Sequence, residues 1–482
     1  MNRKTNLVKI PPIPLTIGHM QQSSLPIIME EKAQVAVIMV PFPAQGHLNQ
    51  LLQLSCLISS YGIRVHYVGS TTHNRQAKLR INGLNPLDVA KIYFQDLPTP
   101  AFVSPPPNPN SSIKFPAHLQ PSWTASLNLR QPVAEYLRDI SSTMRKIIVI
   151  HDPLMAPVVQ DVATVPNAES YVFNCISTFT HATRVWEKIG KSFPIKLQKE
   201  LPSREGCTTD EVQELADLRF DHLDIRAGDV YNTSRVIEGT YVDLLAREEI
   251  VGSRKAWAVG PILPFKLYSN SQHQCLEWLD KQGPKSVIYI SFGTTVSMSD
   301  EEIKELAMGL EQSKQNFLWV LRDADKGDVF EGEVRRAELP EGFEERTRGV
   351  GMVVRDWAPQ PEILAHPSTG GFMSHCGWNS CIESITMGVP VAAWPMHSDQ
   401  PRNAMFITDI LKIGILVREW TQYEELVKAS MIKNVVRRLM ASDEGIEIRK
   451  KAKEVADAVR MSTEAGGVSQ KELDSFIAHV TR

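Results

Sequence analysis

The chain has no apolar run long enough to cross a bilayer as a helix. It has no excess of one charge: 52 Lys and Arg stand against 55 Asp and Glu, for a net charge of −3. That balance offers nothing to neutralise a nucleic-acid backbone. Its six cysteines, at 56, 175, 207, 275, 376 and 381 among 482 residues, form no paired framework. A disulfide-stapled secreted domain is therefore excluded, and a reduced, cytoplasmic setting is expected. No G-x-G-x-x-G follows a strand, which removes the nicotinamide-dependent oxidoreductase reading. Gly190-Lys191-Ser192 suggests a P-loop, but position 185 is Val where that motif needs Gly. His375, Cys376 and Cys381 make an incomplete zinc set. The sequons at Asn110 and Asn232 come without a secretory signal and read as accidental.

What is present is an ordinary globular composition, 43% hydrophobic and 22% charged, in a chain too long for one core. Two or three domains are expected. Residues 1–31 read as a disordered extension. They carry Arg3, Lys4 and Lys9 with no acid before Glu30, as a transit peptide would, but Pro11, Pro12, Pro14 and Pro26 break any amphipathic helix. A chain begun at Met29 is expected to fold and to keep its activity.

From residue 34 the pattern is strand, helix, strand. QVAVIMVP at 34–41 is an apolar strand, followed by a helix over 48–60, a strand at 64–69, a helix over 71–81 and a strand at 89–94. This is the grammar of a parallel sheet. A proline-rich loop spans 98–109, a long helix lies within 115–140, and KIIVIHD at 146–152 is the next strand. A helix over 155–163 and a strand at 170–174 follow. The polar stretch 187–226 looks like a domain edge. A second series is expected from Asp229, with strands at 256–259, 286–291, 317–321, 352–354, 371–374 and 391–393 and a helix over 299–312. The piece 322–336 reads as a solvated loop, its Asp323-Ala324-Asp325 included. Closing helices fall at 428–439, 445–461 and 469–480. The fold class is α/β: two doubly wound, Rossmann-like domains facing across a cleft, at 32–250 and 251–460. A linker falls near 225–270, and a C-terminal helix at 461–482 packs back on the first domain. Ligands in such sheets lie beyond the carboxyl ends of the strands.

The densest chemistry lies at 357–400, WAPQPEILAHPSTGGFMSHCGWNSCIESITMGVPVAAWPMHSDQ. A short strand, a tight polar turn and a helix put backbone N–H groups and a positive dipole end at one place, a ready anion site. In length and landmarks this stretch resembles the signature box of the plant family of UDP-sugar-dependent glycosyltransferases of small molecules. Trp357-Ala358-Pro359-Gln360, His375 to Ser380, Glu383, Gly388-Val389-Pro390 and Gln400 all fall in register. From Val35 onward the resemblance implies the glycosyltransferase B fold.

A sugar nucleotide needs a platform for its base, donors for its diphosphate and acceptors for its hydroxyls. Trp357 can stack on uracil and Gln360 can bond base or ribose. His375, Asn379 and Ser380 can hold the phosphates, Glu383 the ribose, and Asp399 with Gln400 the sugar. Taken singly, such a Trp is more often core and such a His more often a cap; the shared register turns the reading toward function. The resemblance adds Ala358 and Trp378 to the donor-binding set. In the turn 291–295, Gly293 permits close approach and Thr294 can reach a phosphate.

Transfer to an alcohol needs a base. His47, between the first strand and first helix, is the candidate, with Asp152 to orient it. The resemblance implies the same dyad. Neighbours on a strand face opposite ways, so His151 is read as structural. The mechanism is a single inverting displacement, with no metal and no other cofactor. The acceptor pocket is expected from the first domain: Phe102, with Phe115, Trp123 and Leu154, for a flat apolar ring, and His118 and Gln120 for ring nitrogens. The phrases at 35–55, 118–126, 130–137 and 374–404 resemble the branch containing zeatin O-glucosyltransferases and O-xylosyltransferases. That branch implies UDP-glucose or UDP-xylose as donor, with Gln400 favouring glucose and Asp399 standing where Glu is commoner. The expected activity is O-glycosylation of a cytokinin by a monomer. The alternatives are a flavonoid or other phenol as acceptor, or a nucleotide-sugar-binding protein without turnover.

Overall fold

The computed structural model describes residues 35–81, 83–247, 254–263, 273–332 and 335–482. The extension expected at 1–31, Met29 included, lies outside the described residues. The described chain builds two all-parallel sheets. The first contains β1 (Val35–Val40), β2 (Arg64–Ser70), β3 (Tyr93–Leu97), β4 (Lys146–His151), β5 (Ala168–Asn174), β6 (Arg226–Tyr231) and β7 (Lys255–Ala258), in the order β3-β2-β1-β4-β5-β6-β7. The second contains β8 (Val287–Ser291), β9 (Asn316–Val320), β10 (Gly351–Val354), β11 (Thr369–Ser374), β12 (Val391–Ala393) and β13 (Gly414–Leu416), in the order β10-β9-β8-β11-β12-β13. Each sheet has one place where strand order reverses, between β1 and β4 and between β8 and β11. Loops leaving those strands open a crevice. Strand β1, VAVIMV, is buried along its whole length, as a central parallel strand covered on both faces must be.

Several expectations shift. The strand expected to open a second series at Asp229 is β6, and it pairs with β5. Strand β7 pairs with β6, so the first sheet runs past residue 250. The local pattern is the same whichever sheet a strand joins; partner choice is a tertiary matter. The strand expected at 89–94 moves to Tyr93–Leu97, because Asn85 caps a short helix, Pro86–Val89, by accepting from the Leu87 N–H at 2.9 Å. The long helix expected within 115–140 is broken into Gln120–Ser126 and Arg130–Ser141 with 3-10 turns between. Pro121 and Pro132 lack the N–H that a continuous helix needs and sit in the first turns of the two pieces. Pro153 and Pro157 divide 153–164 into short turns in the same way.

Residues 322–328 of the stretch 322–336 are not a solvated loop. Asp323 and Ala324 are buried and Gly327 packs on Phe102 and Ser122 of the first domain. Asp323 accepts from Ser297, and Asp325 is paired with Arg80 and Arg322.

The final helix, Val468–Val480, crosses back to the first sheet. Leu473, Phe476, Ile477 and Val480 join that sheet's core, with the Phe476 ring 5.3 Å from Trp257 and 5.6 Å from Tyr171. Phe476 is fully buried. We expect Phe476→Ala to cost about 3–5 kcal/mol, the usual range for a core Phe. Equilibrium unfolding in denaturant measures it. A cost within about 0.5 kcal/mol, that of a surface change, would show that this helix does not anchor the first domain.

Candidate active site

The first half of the site comes from the ends of β1 and β4. After β1 the chain turns through Phe42 to Gln45 and enters the helix Gln45–Ser59, placing His47 in its first turn at the cleft wall. Asp152 follows β4 directly. Its Oδ1 accepts from the Leu154 N–H at 2.9 Å, and its Oδ2 lies 2.6 Å from Nδ1 of His47. The carboxylate is fully buried while the His47 side chain keeps 28% exposure, so the pair is anchored below and open above. Burial is the largest single influence on His47 and lowers its pKa. The charge and hydrogen bond of Asp152, with the charge of Asp399, outweigh it and leave the ring raised above its ordinary value. Nδ1 is committed to Asp152, so Nε2 is the nitrogen left for a substrate. His151 points the other way. It is fully buried, with Nδ1 2.8 Å from the Asp152 carbonyl oxygen and Nε2 3.0 Å from Ser170 Oγ. Burial pushes its pKa down to about 4.

The second half comes from the ends of β8 and β11. Gly293 has φ 74°, and a Cβ there would lie 2.7 Å from the His375 ring; one on Gly377 would lie 2.6 Å from it. The imidazole is thus held between two glycines. Burial pushes its pKa down to about 4 against a hydrogen bond to the Ser291 backbone, so the ring is neutral. Its Nδ1 is buried with no hydrogen-bond partner among the described residues. Cys376 and Ser398, at φ 65° and 61°, are left-handed non-glycine residues in the two turns that bound this half, the kind of backbone cost that collects at ligand sites. Helix Trp378–Met387 begins at Gly377 with no side-chain cap, leaving first-turn N–H groups for an anion. Ser380 and Glu383 face that start. Gln360 Nε2 donates to Glu383 Oε2 at 2.6 Å and to Ser380 Oγ at 3.0 Å, and Tyr289 donates to Gln360 Oε1 at 3.3 Å. Burial pushes Glu383 up to about 7. Asn379 Nδ2 donates to the Gly46 carbonyl at 2.8 Å, tying the donor turn to the residue before His47.

Both halves line one cleft of about 1290 Å³. Two segments match known families. Residues 33–264 match the family described as "Glycosyltransferase, N-terminal domain", and residues 265–438 match "UDP-glucoronosyl and UDP-glucosyl transferase". Over 94% of its length the chain is 53% identical to a zeatin O-glucosyltransferase of Phaseolus lunatus, covering 98% of that protein. It is 52% identical, again over 94% of its length, to a zeatin O-xylosyltransferase of Phaseolus vulgaris, covering all of it. The chain belongs to the UDP-glycosyltransferase family. Among solved structures it is similar to a glycosyltransferase from Siraitia grosvenorii in complex with UDP (TM-score 0.72, 27% identity, 93% of this chain and 100% of that one). It is also similar to Phytolacca americana UGT2 complexed with UDP-2fluoro-glucose and pterostilbene (TM-score 0.71, 26% identity, 93% and 99%). The transferase therefore has the two-domain fold expected of it, and it moves a sugar from a UDP-sugar to a small acceptor.

Within the transferase's donor half, several expected residues serve the protein itself. The Trp378 indole donates to the Asn232 carbonyl at 2.9 Å and is 3% exposed, so it braces the two domains. Ala358 is buried in the core beside Val354 and Ile363 and contributes a small wall. Gln400 Oε1 accepts from the N–H groups of Met396 and His397, at 2.9 and 3.0 Å, and its Nε2 lies 3.3 Å from both ring nitrogens of His397, so only part of the amide faces a ligand. Asp399 accepts from Asn403 at 2.8 Å on Oδ2 and retains Oδ1. Thr294 lines the cleft and its carbonyl accepts from the Asp325 N–H at 2.7 Å. The Trp357 ring lies under two guanidinium groups, Arg80 at 5.0 Å and Arg322 at 5.5 Å from its centroid.

In the acceptor half, Trp123, Leu154 and Phe115 line the cleft, the Trp123 ring 5.3 Å from Phe42 and 5.9 Å from Phe115. Phe102, His118 and Gln120 do not line it. Phe102 stacks on His73, and His118 Nε2 is 2.8 Å from the Asp325 carbonyl oxygen. Both are turned to the inter-domain seam, where 322–328 occupies the space a solvated loop would have left open. Sequence reasoning also missed the wall at 203–221. It holds the helix Asp210–Asp217 and lines the cleft, its turn Leu218–Asp221 packed beside the turn that carries Leu154. Its polarity gave it the look of a domain edge. Cys175 was missed as well: with His47 and Asp152 it is the one group of three donors among the described residues close enough to share a metal. Burial, reinforced by Asp152, pushes its thiol well up, which keeps it protonated and a poor ligand.

Proposed function

We propose that this enzyme transfers glucose from UDP-glucose, with inversion, to a hydroxyl of a zeatin-type cytokinin. The near full-length identity to two zeatin O-glycosyltransferases carries the choice of acceptor. The His47–Asp152 pair facing the donor turn carries the chemistry. Nε2 of His47 takes the hydroxyl proton as the acceptor oxygen bonds to the anomeric carbon and the bond to UDP breaks. Asp152 stabilises the imidazolium that forms. The departing diphosphate meets the first-turn N–H groups of Trp378–Met387, the neutral His375 and Asn379. Trp357, Gln360, Ser380 and Glu383 hold the nucleoside, and Asp399 with the Gln400 amide holds the sugar. Trp123, Leu154 and Phe115 form the apolar wall for the purine.

This set supplies charge stabilisation without a resident metal, so activity is expected to survive EDTA. Six unpaired, buried thiols support a reducing, cytoplasmic location, and all the groups needed for one turnover lie on one chain, which supports a monomer. A UDP-release assay over zeatin isomers and flavonoids, with UDP-glucose and UDP-xylose, tests the reading. The highest kcat/KM is expected for a zeatin with UDP-glucose. Turnover of flavonoids alone would overturn the acceptor, and no turnover with any pair would point to a binding protein.

A further inference from the structure

Asp399, the carboxylate that faces the sugar in the reading above, is held from both domains. It opens the helix Gln400–Met405, and Asn403 on that helix bonds it twice. The Asn403 backbone N–H donates to the Asp399 carbonyl at 3.0 Å, and Nδ2 donates to Asp399 Oδ2 at 2.8 Å. Nδ2 also donates to the Cys376 carbonyl at 3.0 Å, in the left-handed turn before the donor helix. Oδ1 accepts from two hydroxyls of the first domain, Ser177 Oγ and Thr180 Oγ1, both at 2.9 Å. The amide thus uses both of its hydrogens and both lone pairs of its oxygen. Chemistry fixes which way it points, since a carboxylate and a carbonyl can only accept. Asn403, Ser177 and Thr180 are fully buried, while Asp399 lines the cleft.

The first-domain end of this bridge is itself anchored. Ser177 caps the helix Thr178–Lys188, its Oγ accepting from the Thr180 N–H at 3.1 Å. The buried Glu238 carboxylate accepts from the N–H groups of Thr178 and Phe179 at 3.2 and 2.8 Å. Packing alone does not ask for such an arrangement. Asn is a poor helix former, and a buried amide offsets its desolvation only where its bonds are made. An apolar side chain would fill the space without that demand. The amide supplies direction instead: with Oδ2 taken, Asp399 presents Oδ1.

We propose that Asn403 is a positioning residue for the donor sugar, turning Asp399 Oδ1 toward the sugar hydroxyls and making that orientation depend on the docked first domain. This rests on the reading above that Asp399 holds the sugar. Asn403 lies outside the cleft lining and acts through Asp399. A second domain whose partner is out of place would keep its contacts to the nucleotide and lose its hold on the sugar.

The test is calorimetric titration of the whole enzyme with UDP and with whichever of UDP-glucose and UDP-xylose binds more tightly. The readout is the ratio of the two Kd values, which isolates the sugar. Asp399→Ala is expected to weaken the UDP-sugar about tenfold relative to UDP, the scale of a hydrogen bond to a charged group. Asn403→Ala should produce most of that change with Asp399 still in place, and should add nothing in the Asp399→Ala background. The Cys376 N–H keeps its bond to Ser374 Oγ at 3.1 Å, so Kd for UDP should move less. Thr180→Val, which exchanges only a hydroxyl for a methyl on the other domain, should shift the ratio the same way by about two- to threefold. Thermal unfolding shows whether each variant is folded, and Thr180→Val reads the same bridge if Asn403→Ala is not. A wild-type ratio in folded Asn403→Ala beside a shifted one in Asp399→Ala would overturn the positioning role and leave the sugar reading intact. Equal losses of UDP and UDP-sugar would do the same, since they mark a general structural role, as would a wild-type ratio in Thr180→Val. An unchanged ratio in Asp399→Ala would remove the sugar reading and the proposal with it.

Discussion

His47→Ala is expected to lower kcat for a zeatin acceptor by about 10²–10⁴-fold, the range for losing a positioned general base. Affinity for UDP should be nearly unchanged, since the contacts proposed for it come from Trp357, His375 and the helix start on the second domain. The loss should be smaller with a phenol, whose more acidic hydroxyl gives up its proton more readily. The pH profile adds a sign that a structural role would not produce. His47 must be neutral to act, and its pKa is raised above 6.5 on balance. Activity should therefore fall as pH drops through that raised value, placing the acid limb of kcat/KM above 6.5. Asp152→Asn removes the largest raising influence, so the limb should move to lower pH. The plateau should fall too, because the ring loses the partner that orients it. Steady-state kinetics of the two variants from pH 5 to 9 measure this. A dead His151→Ala beside an active His47→Ala would reverse the assignment. The hydrogen bonds of His151 to Ser170 and the Asp152 backbone oppose that outcome.

How far this was legible in the sequence depended on whether partners are neighbours along the chain. That Trp357, Gln360, His375, Asn379, Ser380 and Glu383 line one cleft was readable because they lie in one stretch, on a loop, a turn and two helices. The His47–Asp152 pair spans two strands, but each residue stands at a strand end, where parallel sheets gather ligands, and strand alternation separated Asp152 from His151. Legibility ended where a side chain's partner is distant. Nothing local to His118 announces Asp325, and nothing local to Asp325 announces Arg80. Charge density made 322–336 look wet and 187–226 look peripheral, whereas 322–328 forms the seam between domains and 203–221 a wall of the cleft. Trp378 and Gln400 mark a different limit. Each stands in register with the box, yet the structure spends the indole on Asn232 and the amide oxygen on the 396–397 turn.

That seam predicts the second large effect. Asp325 and Arg80 are 9% and 15% exposed, so their pairing is sheltered from water and salt. Asp325 Oδ1 also accepts from Arg322 Nη2 at 3.0 Å. Its backbone accepts from His118 and donates to Thr294. Through these bonds one residue links the 3-10 turn at His118 and the turn at Thr294 by its backbone, and the two guanidinium groups over Trp357 by its carboxylate. Asp325→Ala leaves both guanidiniums half-buried without their counter-charge, a change expected to cost about 3–5 kcal/mol. Arg80→Ala should cost less, because Arg322 still pairs the carboxylate. The indole platform would also lose its setting. Base stacking of this kind is worth about 1–3 kcal/mol, so KM for UDP-glucose should rise about tenfold in Asp325→Ala. Thermal unfolding and donor kinetics of the two single variants and the double separate these terms, since the contact is strongest if the double costs less than the sum. An Asp325→Ala enzyme that melts and binds donor like the wild type would show that the charges at this seam are solvated after all. The asymmetry between the two single variants is the sharper reading: it follows only if Asp325 neutralises two arginines at once, one from each domain.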